Sequence, residues 1–120
     1  LEQHGIACER WILVHAQNIR EPSELAGRGA WIELDGIGPE EMDRHLQLLI
    51  RLLEQGREGR ILLSQDAGWY SVGEPGGGKV RPYTYLPEQF LPLARERGIR
   101  EETILRLTVE NPAQAFSIGG

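Results

Sequence analysis

WILVH (Trp11–His15), AWIELD (Ala30–Asp35) and RILLS (Arg60–Ser64) are the three stretches that decide the fold of this chain. Each is a short and nearly continuous apolar run, which is the pattern of a strand buried on both faces. Helical segments with short connections separate the runs, so the predicted order is strand, helix, strand, helix, strand. This alternation predicts an α/β fold in which parallel strands are joined by right-handed crossovers.

The clearest predicted helix lies between the second and third strands. Pro39 suits a first-turn position, Glu40 favours the positive end of the helix dipole, and Gly56 ends the helix. Apolar residues recur between them at helical spacing: Met42, Leu46, Leu49, Ile50 and Leu53. His45 on this helix and His4 near the start of the chain have polar neighbours, so we expect both to be solvated.

Residues 67–85 form a long segment rich in Gly, Pro and Tyr after the third strand. Irregular segments of this length are uncommon in compact domains and are often active-site lids or binding loops. Trp69 and Tyr70 are therefore candidate substrate-binding residues. The structural alternative is that their side chains hold the loop in place. A helix is predicted from Pro87 to Arg97 and another after it, and we expect Phe116 to fill a groove in the core.

Residues that titrate or bind metals follow all three predicted strands. His15, Asp35 and Asp66 stand at or just beyond the strand ends. In parallel α/β sheets, ligands bind outside the carboxyl ends of the strands, so these side chains are expected to converge on one site. The structural alternatives stay open: a histidine hydrogen-bonded at the rim of the sheet, and aspartates that form turns.

The composition limits the class of protein. A chain of 120 residues with 40% hydrophobic and 26% charged residues fits one globular domain. The net charge of −5 argues against nucleic-acid or anionic-membrane partners. Cys8 is the only cysteine, which excludes an internal disulfide and leads us to expect a cytoplasmic protein. No secretory signal opens the chain, which begins at Leu1 rather than Met.

The short sequence motifs of several common catalytic and metal-binding sites are absent from the chain. The chain contains no C-x-x-C, H-x-H, H-E-x-x-H or G-x-S-x-G. Residues 73–79 match the G-x-x-x-x-G-K part of a phosphate-binding loop, but Val80 follows where that loop needs Ser or Thr. We therefore interpret this segment as a flexible loop.

Three blocks of sequence resemble the last three strands of the phosphotriesterase-like amidohydrolases. They are ILVHA (residues 12–16), AGRGAWIELD (26–35) and RILLSQD (60–66), and the ending TVENPAQAF (108–116) is similar to that family's terminal helices. The resemblance implies that residues 1–120 are the carboxyl-terminal three βα units of a (β/α)8 TIM barrel. At position 36 this chain has Gly, whereas many members of the family that it resembles have a larger His or Arg.

The resemblance also implies a chemistry and a role for each strand-end residue. Members of the family use a metal-bound hydroxide to cleave small-molecule esters, lactones or phosphoesters, with two divalent metal ions, usually zinc. His15 corresponds to one metal ligand, and Asp66 to a ligand of the other metal that also accepts a proton. Asp35 corresponds to a catalytic aspartate near the substrate, in a proton relay.

The same resemblance leads to expectations for the chain on its own. Two ligands are too few for a stable zinc site, so residues 1–120 alone are expected to have no substantial activity. The apolar edge strand Trp11–Val14 would be open to pairing with another chain, which makes a homodimer conceivable. Two other classes stay open: a small α/β domain for binding or phospho-acceptance, and a degenerate barrel that serves as an interaction protein.

Overall fold

The computed structural model describes residues 2–118 and contains one parallel three-stranded sheet with the strand order β1-β2-β3. The strands are β1 (Ile12–Leu13), β2 (Trp31–Leu34) and β3 (Ile61–Leu63). Ile32 of β2 pairs with both Leu13 and Ile61, which puts β2 at the centre. The predicted α/β class and parallel strands are confirmed, with each strand two or three residues shorter than the stretch from which it was predicted.

Helices lie between the strands and after the last strand in the sequence. They are α1 (Pro22–Gly27), α2 (Met42–Glu54), α3 (Leu91–Glu96), α4 (Glu101–Leu105) and α5 (Asn111–Phe116). The π-helical segments Leu86–Phe90 and Arg106–Glu110 run directly into α3 and α5. Short 3-10 turns occupy Glu2–His4, Cys8–Arg10, Ala16–Asn18, Glu58–Arg60 and Pro75–Gly77. Within residues 2–118, no helix has both the length and the apolar character needed to cross a membrane.

Helix α2 corrects two of the sequence predictions. It begins at Met42, so Pro39 lies in the preceding turn rather than in the first helical turn. His45 is not solvated but fully buried, because backbone carbonyl groups surround its ring. Its Nε2 lies 2.6 Å from the Asp35 carbonyl oxygen and its Nδ1 lies 2.9 Å from that of Glu41. The imidazole thus links the start of α2 to the end of β2.

The hydrophobic core lies between the sheet and the helices. Its fully buried members include Ile32, Leu34, Leu46, Ile61 and Phe90.

Two side chains that the sequence placed in the interior are exposed instead. Phe116 was predicted to fill a core groove, but 66% of it is exposed, because it is the last residue of α5 and that end of the helix lies at the surface. Val14 is half exposed, because β1 is the edge strand of the described sheet and has one neighbouring strand there.

Candidate functional site

His15 lies two residues after the end of β1 and is hydrogen-bonded to Asp35 at the end of β2. Its backbone N–H donates to Asp35 Oδ2 at 2.9 Å, and its ring Nδ1 lies 2.8 Å from Asp35 Oδ1 and 2.7 Å from Oδ2. The His15 side chain is 59% exposed, whereas that of Asp35 is 6% exposed. With Nδ1 directed to the carboxylate, Nε2 is the ring nitrogen left for another ligand, the arrangement of carboxylate-oriented metal-binding histidines.

The carboxylate of Asp35 is held by hydrogen bonds on both oxygens. Gln17 Nε2 donates to Oδ1 at 2.7 Å, and the Asp35 backbone N–H donates to Gln17 Oε1 at 3.2 Å. Burial by itself would raise the pKa of Asp35, but the hydrogen bonds from Gln17 and His15 outweigh it and lower that pKa. Asp35 is therefore an anion that orients His15, a geometry that favours a positioning role over the acceptance of a proton.

The contact between Asp35 and His15 also changes the pKa of the His15 imidazole. The hydrogen bond with the Asp35 carboxylate, and then its negative charge, raise the pKa of His15 above the usual histidine value. The buried Asp35 carboxylate therefore strengthens the basicity of the His15 ring, and a more basic imidazole is a better metal ligand.

Asp66 lies just beyond β3, and its backbone is in an unusual conformation. His15 at φ 54° and Asp66 at φ 48° are the two non-glycine residues of the described chain with positive φ. His and Asp enter this left-handed region more readily than most residues, yet such conformations still cluster at functional sites. That the two predicted metal ligands share this feature supports a functional reading of both strand ends.

A cavity of about 530 Å³ unites the three strand ends. His15, Asp35 and Asp66 line it together with Gly36 and the loop residues 79–82. The predicted convergence at the carboxyl ends of the parallel strands is therefore present in the structure.

Trp69 and Tyr70 do not belong to the described lining of this cavity. They are 64% and 67% exposed, and the indole Nε1 of Trp69 donates to the Asp66 carbonyl oxygen at 3.0 Å. The Tyr70 ring lies against Gly77, where a Cβ would clash with it. Their contacts are those of residues that hold the loop, so substrate binding by Trp69 and Tyr70 stays a prediction.

Arg81 belongs to the 67–85 loop and lines the cavity. It was not identified as a site residue from the sequence. Its Nη1 donates to the carbonyl oxygens of Gln65 at 2.8 Å and Asp66 at 3.0 Å. The same guanidinium lies beside Gly36, where an added Cβ would be 3.8 Å from Nη1. A cation from the loop thus lies next to Gly36 at the end of β2.

Gln65 is the second loop anchor that sequence reasoning missed. Its Oε1 accepts a hydrogen bond from the Leu86 backbone N–H at 2.7 Å, and its Nε2 donates to the Tyr83 carbonyl oxygen. Adjacency to Asp66 was the one available signal, because both partners lie far along the chain. Gln65 therefore fixes the end of the 67–85 loop to the end of β3.

We expect Gln65→Ala to loosen this loop. The substitution removes two hydrogen bonds and leaves the half-buried Leu86 N–H without its partner, a loss of about 1–3 kcal/mol of local stability. Limited proteolysis of the full-length protein should cut residues 67–85 faster in this variant. Gln55→Ala, at the exposed end of α2, is the matched control. Equal cleavage rates in the two variants would show that Gln65 does not anchor the loop.

The described residues fit part of a metal site. His15 Nε2 and the Asp66 carboxylate are donors of the kind that zinc accepts, and both residues line one cavity. No group of three or more His, Cys, Asp or Glu suited to a metal ion occurs among residues 2–118. Any further protein ligands would have to come from outside these residues.

Comparison with known proteins supports the family and the fold. The sequence model of the Phosphotriesterase family matches residues 1–116. The chain is 25% identical to an aryldialkylphosphatase from Saccharolobus solfataricus over 130 residues, covering 98% of the chain and 41% of that protein. It thus spans about two fifths of the length of the curated relative it matches.

Solved structures show the same relation. The phosphotriesterase from Mycobacterium tuberculosis superposes with a TM-score of 0.81 at 20% identity, over 97% of this chain and 39% of that one. A resiniferatoxin-binding protein from Rhodobacter sphaeroides gives 0.80 at 26% identity, over 97% and 36%. A mutant organophosphorus hydrolase from Deinococcus radiodurans gives 0.79 at 28% identity, over 97% and 40%. The three strands and their helices correspond to part of such a TIM barrel.

Proposed function

The chain belongs to the phosphotriesterase family, and from this premise we propose that it forms the carboxyl-terminal three βα units of a metal-dependent hydrolase barrel. The proposed reaction is hydrolysis of a small-molecule ester, lactone or phosphoester. The observation that carries the proposal is the hydrogen bond between His15 Nδ1 and Asp35, which leaves Nε2 as the ring nitrogen open to a metal in the cavity that Asp66 also lines.

In this proposal each strand-end residue has a defined role. His15 would hold one divalent metal ion and Asp66 the other, and Asp66 would also accept the proton of the attacking water. Two divalent ions held there, with zinc the expected metal, would supply Lewis-acid chemistry that makes a water molecule more acidic and polarises the substrate oxygen. Asp35, assisted by Gln17, orients the imidazole rather than relaying a proton.

Several features of the whole protein are part of the same proposal. Residues 1–120 by themselves should lack substantial hydrolase activity, because the described residues provide two ligands where a stable zinc site needs at least three. We also propose a cytoplasmic location, because a single cysteine, Cys8, fits a reducing compartment. Homodimer formation stays a prediction from the exposed edge of β1.

Metal analysis and hydrolysis assays on the full-length protein test the proposal. The protein should contain tightly bound divalent metal, lose hydrolysis of lactones and aryl phosphotriesters on chelation, and regain it with zinc. Asp66→Asn should lose both metal and activity. Activity that survives complete metal removal would refute the mechanism. A full-length protein that binds no metal and hydrolyses no such substrate would favour a degenerate barrel.

The positioning role of Asp35 has its own test. Asp35→Asn removes the charge but keeps the shape, so we expect metal affinity about 10–100-fold weaker, measured by competition with a chelating dye. In the metal-free protein the same change should lower the pKa of His15, followed by NMR, because the carboxylate that raises it is gone. Asp43→Asn, on an exposed part of α2, is the control and should change neither quantity. An unaltered His15 pKa in Asp35→Asn would contradict the assignment.

A further inference from the structure

A second cavity, of about 440 Å³, lies at the opposite end of the sheet from His15 and Asp66. It is formed where α2 ends and the chain turns into β3, next to the helix that contains Arg106. Three arginines line it: Arg57, Arg60 and Arg106. None of these residues has a task in the proposed hydrolase chemistry, which belongs to the carboxyl ends of the strands.

Two of the three guanidinium groups are each held in place by a different neighbour. Arg57 Nε donates to Ser23 Oγ at 2.9 Å. The Arg60 guanidinium lies 4.7 Å from the centroid of the Trp31 ring, within the range of a cation–π contact. Because these contacts already restrict both side chains, a ligand that binds here would meet two ordered cations at a low entropic cost.

Two glycines make room for the cations. A Cβ at Gly27 would lie 2.8 Å from Arg57 Nη2, and a Cβ at Gly59 would lie 3.3 Å from Arg106 Nη2. Real Cβ atoms do not approach as closely as the first distance and seldom as closely as the second. Glycine at both positions therefore lets the guanidinium groups lie against the backbone around the cavity.

The charge of the residues that line this cavity is opposite in sign to the net charge of the chain. The chain has a net charge of −5, whereas the cavity is lined by three arginines and, among the described residues, by one acidic residue, Glu58. Glu58 Oε2 lies 3.8 Å from Arg106 Nη1, too far for a hydrogen bond. Two positive charges therefore remain uncompensated within the described lining.

We propose that this cavity binds a small multivalent oxyanion of the phosphate type. The planar guanidinium fork matches two oxygens of a phosphate, and such charge-assisted pairs are among the stronger hydrogen bonds in proteins. A dianion would balance the two excess charges. The site is independent of the proposed hydrolase function and lies at the other end of the strands.

Titration of the full-length protein with inorganic phosphate tests the site. Isothermal titration calorimetry at constant ionic strength, balanced with chloride, should show saturable binding. Sulfate should compete with phosphate, and acetate should not. The double variant Arg60→Gln/Arg106→Gln should weaken phosphate affinity at least about tenfold, because it removes two of the three cations. Arg51→Gln/Arg100→Gln removes the same charge from exposed positions and should leave the affinity within about twofold.

Phosphate can also bind metal ions, so the candidate metal centre needs its own control. Asp66→Asn should retain phosphate binding if the arginine cavity is the site. Loss of all phosphate binding in Asp66→Asn, equal affinities in the two double variants, competition by acetate as strong as by sulfate, or no saturable binding would each overturn the proposal. If the Arg60→Gln/Arg106→Gln variant does not fold, Arg106→Gln alone, at a half-exposed side chain, should weaken binding about threefold or more, and no change would overturn the site.

Discussion

We expect the His15→Asn variant of the full-length protein to lose one of its metal ions and to fall at least about a thousandfold in kcat/KM. The reason is that stabilisation of transition-state charge by a metal ion amounts to several kcal/mol, and each 1.4 kcal/mol is about tenfold in rate. Asparagine is the chosen replacement because it tolerates the left-handed backbone of His15 at φ 54°, whereas alanine would add strain there. Metal content by elemental analysis and hydrolysis kinetics are the two measurements.

His4→Asn is the matched control for this variant. His4 is exposed on the first 3-10 turn of the chain, so its replacement should alter neither metal content nor rate. Unchanged metal content in His15→Asn would show that His15 is a structural histidine at the rim of the sheet. Retained metal with a large loss of rate would instead make His15 a residue that contacts the substrate or a reacting proton.

The second large effect is expected on stability. Phe90→Ala should lower the free energy of unfolding by about 3–5 kcal/mol, because a fully buried aromatic side chain is removed and the surrounding core collapses only in part. Phe90 lies on the turn of helix that leads into α3 and packs in the same cluster as the strand residues Ile32 and Ile61. Urea unfolding of the full-length protein, followed by circular dichroism, measures the change.

Phe116→Ala removes the same side chain from an exposed position. Because Phe116 is 66% exposed, the substitution should change the free energy of unfolding by no more than about 0.5 kcal/mol. Similar losses in the two variants would mean that Phe116 is covered in the full-length protein. A small loss in Phe90→Ala would mean that the core closes over the missing ring.

The parts of the site that sequence could predict are those encoded locally. His15, Asp35 and Asp66 were identified because each follows an apolar run, and the direction of a strand places its last residue at a known edge of a parallel sheet. The contact between His15 and Asp35 was not predictable, since it joins residues 20 positions apart and depends on the register of β1 against β2.

The residues that support the site were missed for the same reason. Gln17 holds Asp35 across 18 positions, Gln65 holds Leu86 across 21, and Arg81 reaches Gln65 across 16. Apart from the adjacency of Gln65 to Asp66, nothing near these residues in the chain distinguishes them from solvated polar residues. His45 was assigned to solvent on its polar neighbours, and only the carbonyl groups of Asp35 and Glu41 around its ring account for its burial.

The sequence by itself determined the alternation of strands and helices, the parallel sheet and the three strand ends with candidate site residues, because apolar periodicity and glycine and proline signals act over a few residues. Only the tertiary structure decided that Phe116 is exposed, that Asp35 orients His15, and that three arginines surround a second cavity. Burial, hydrogen-bond partners and charge clusters are set by residues distant in the chain, and packing alone brings those residues together.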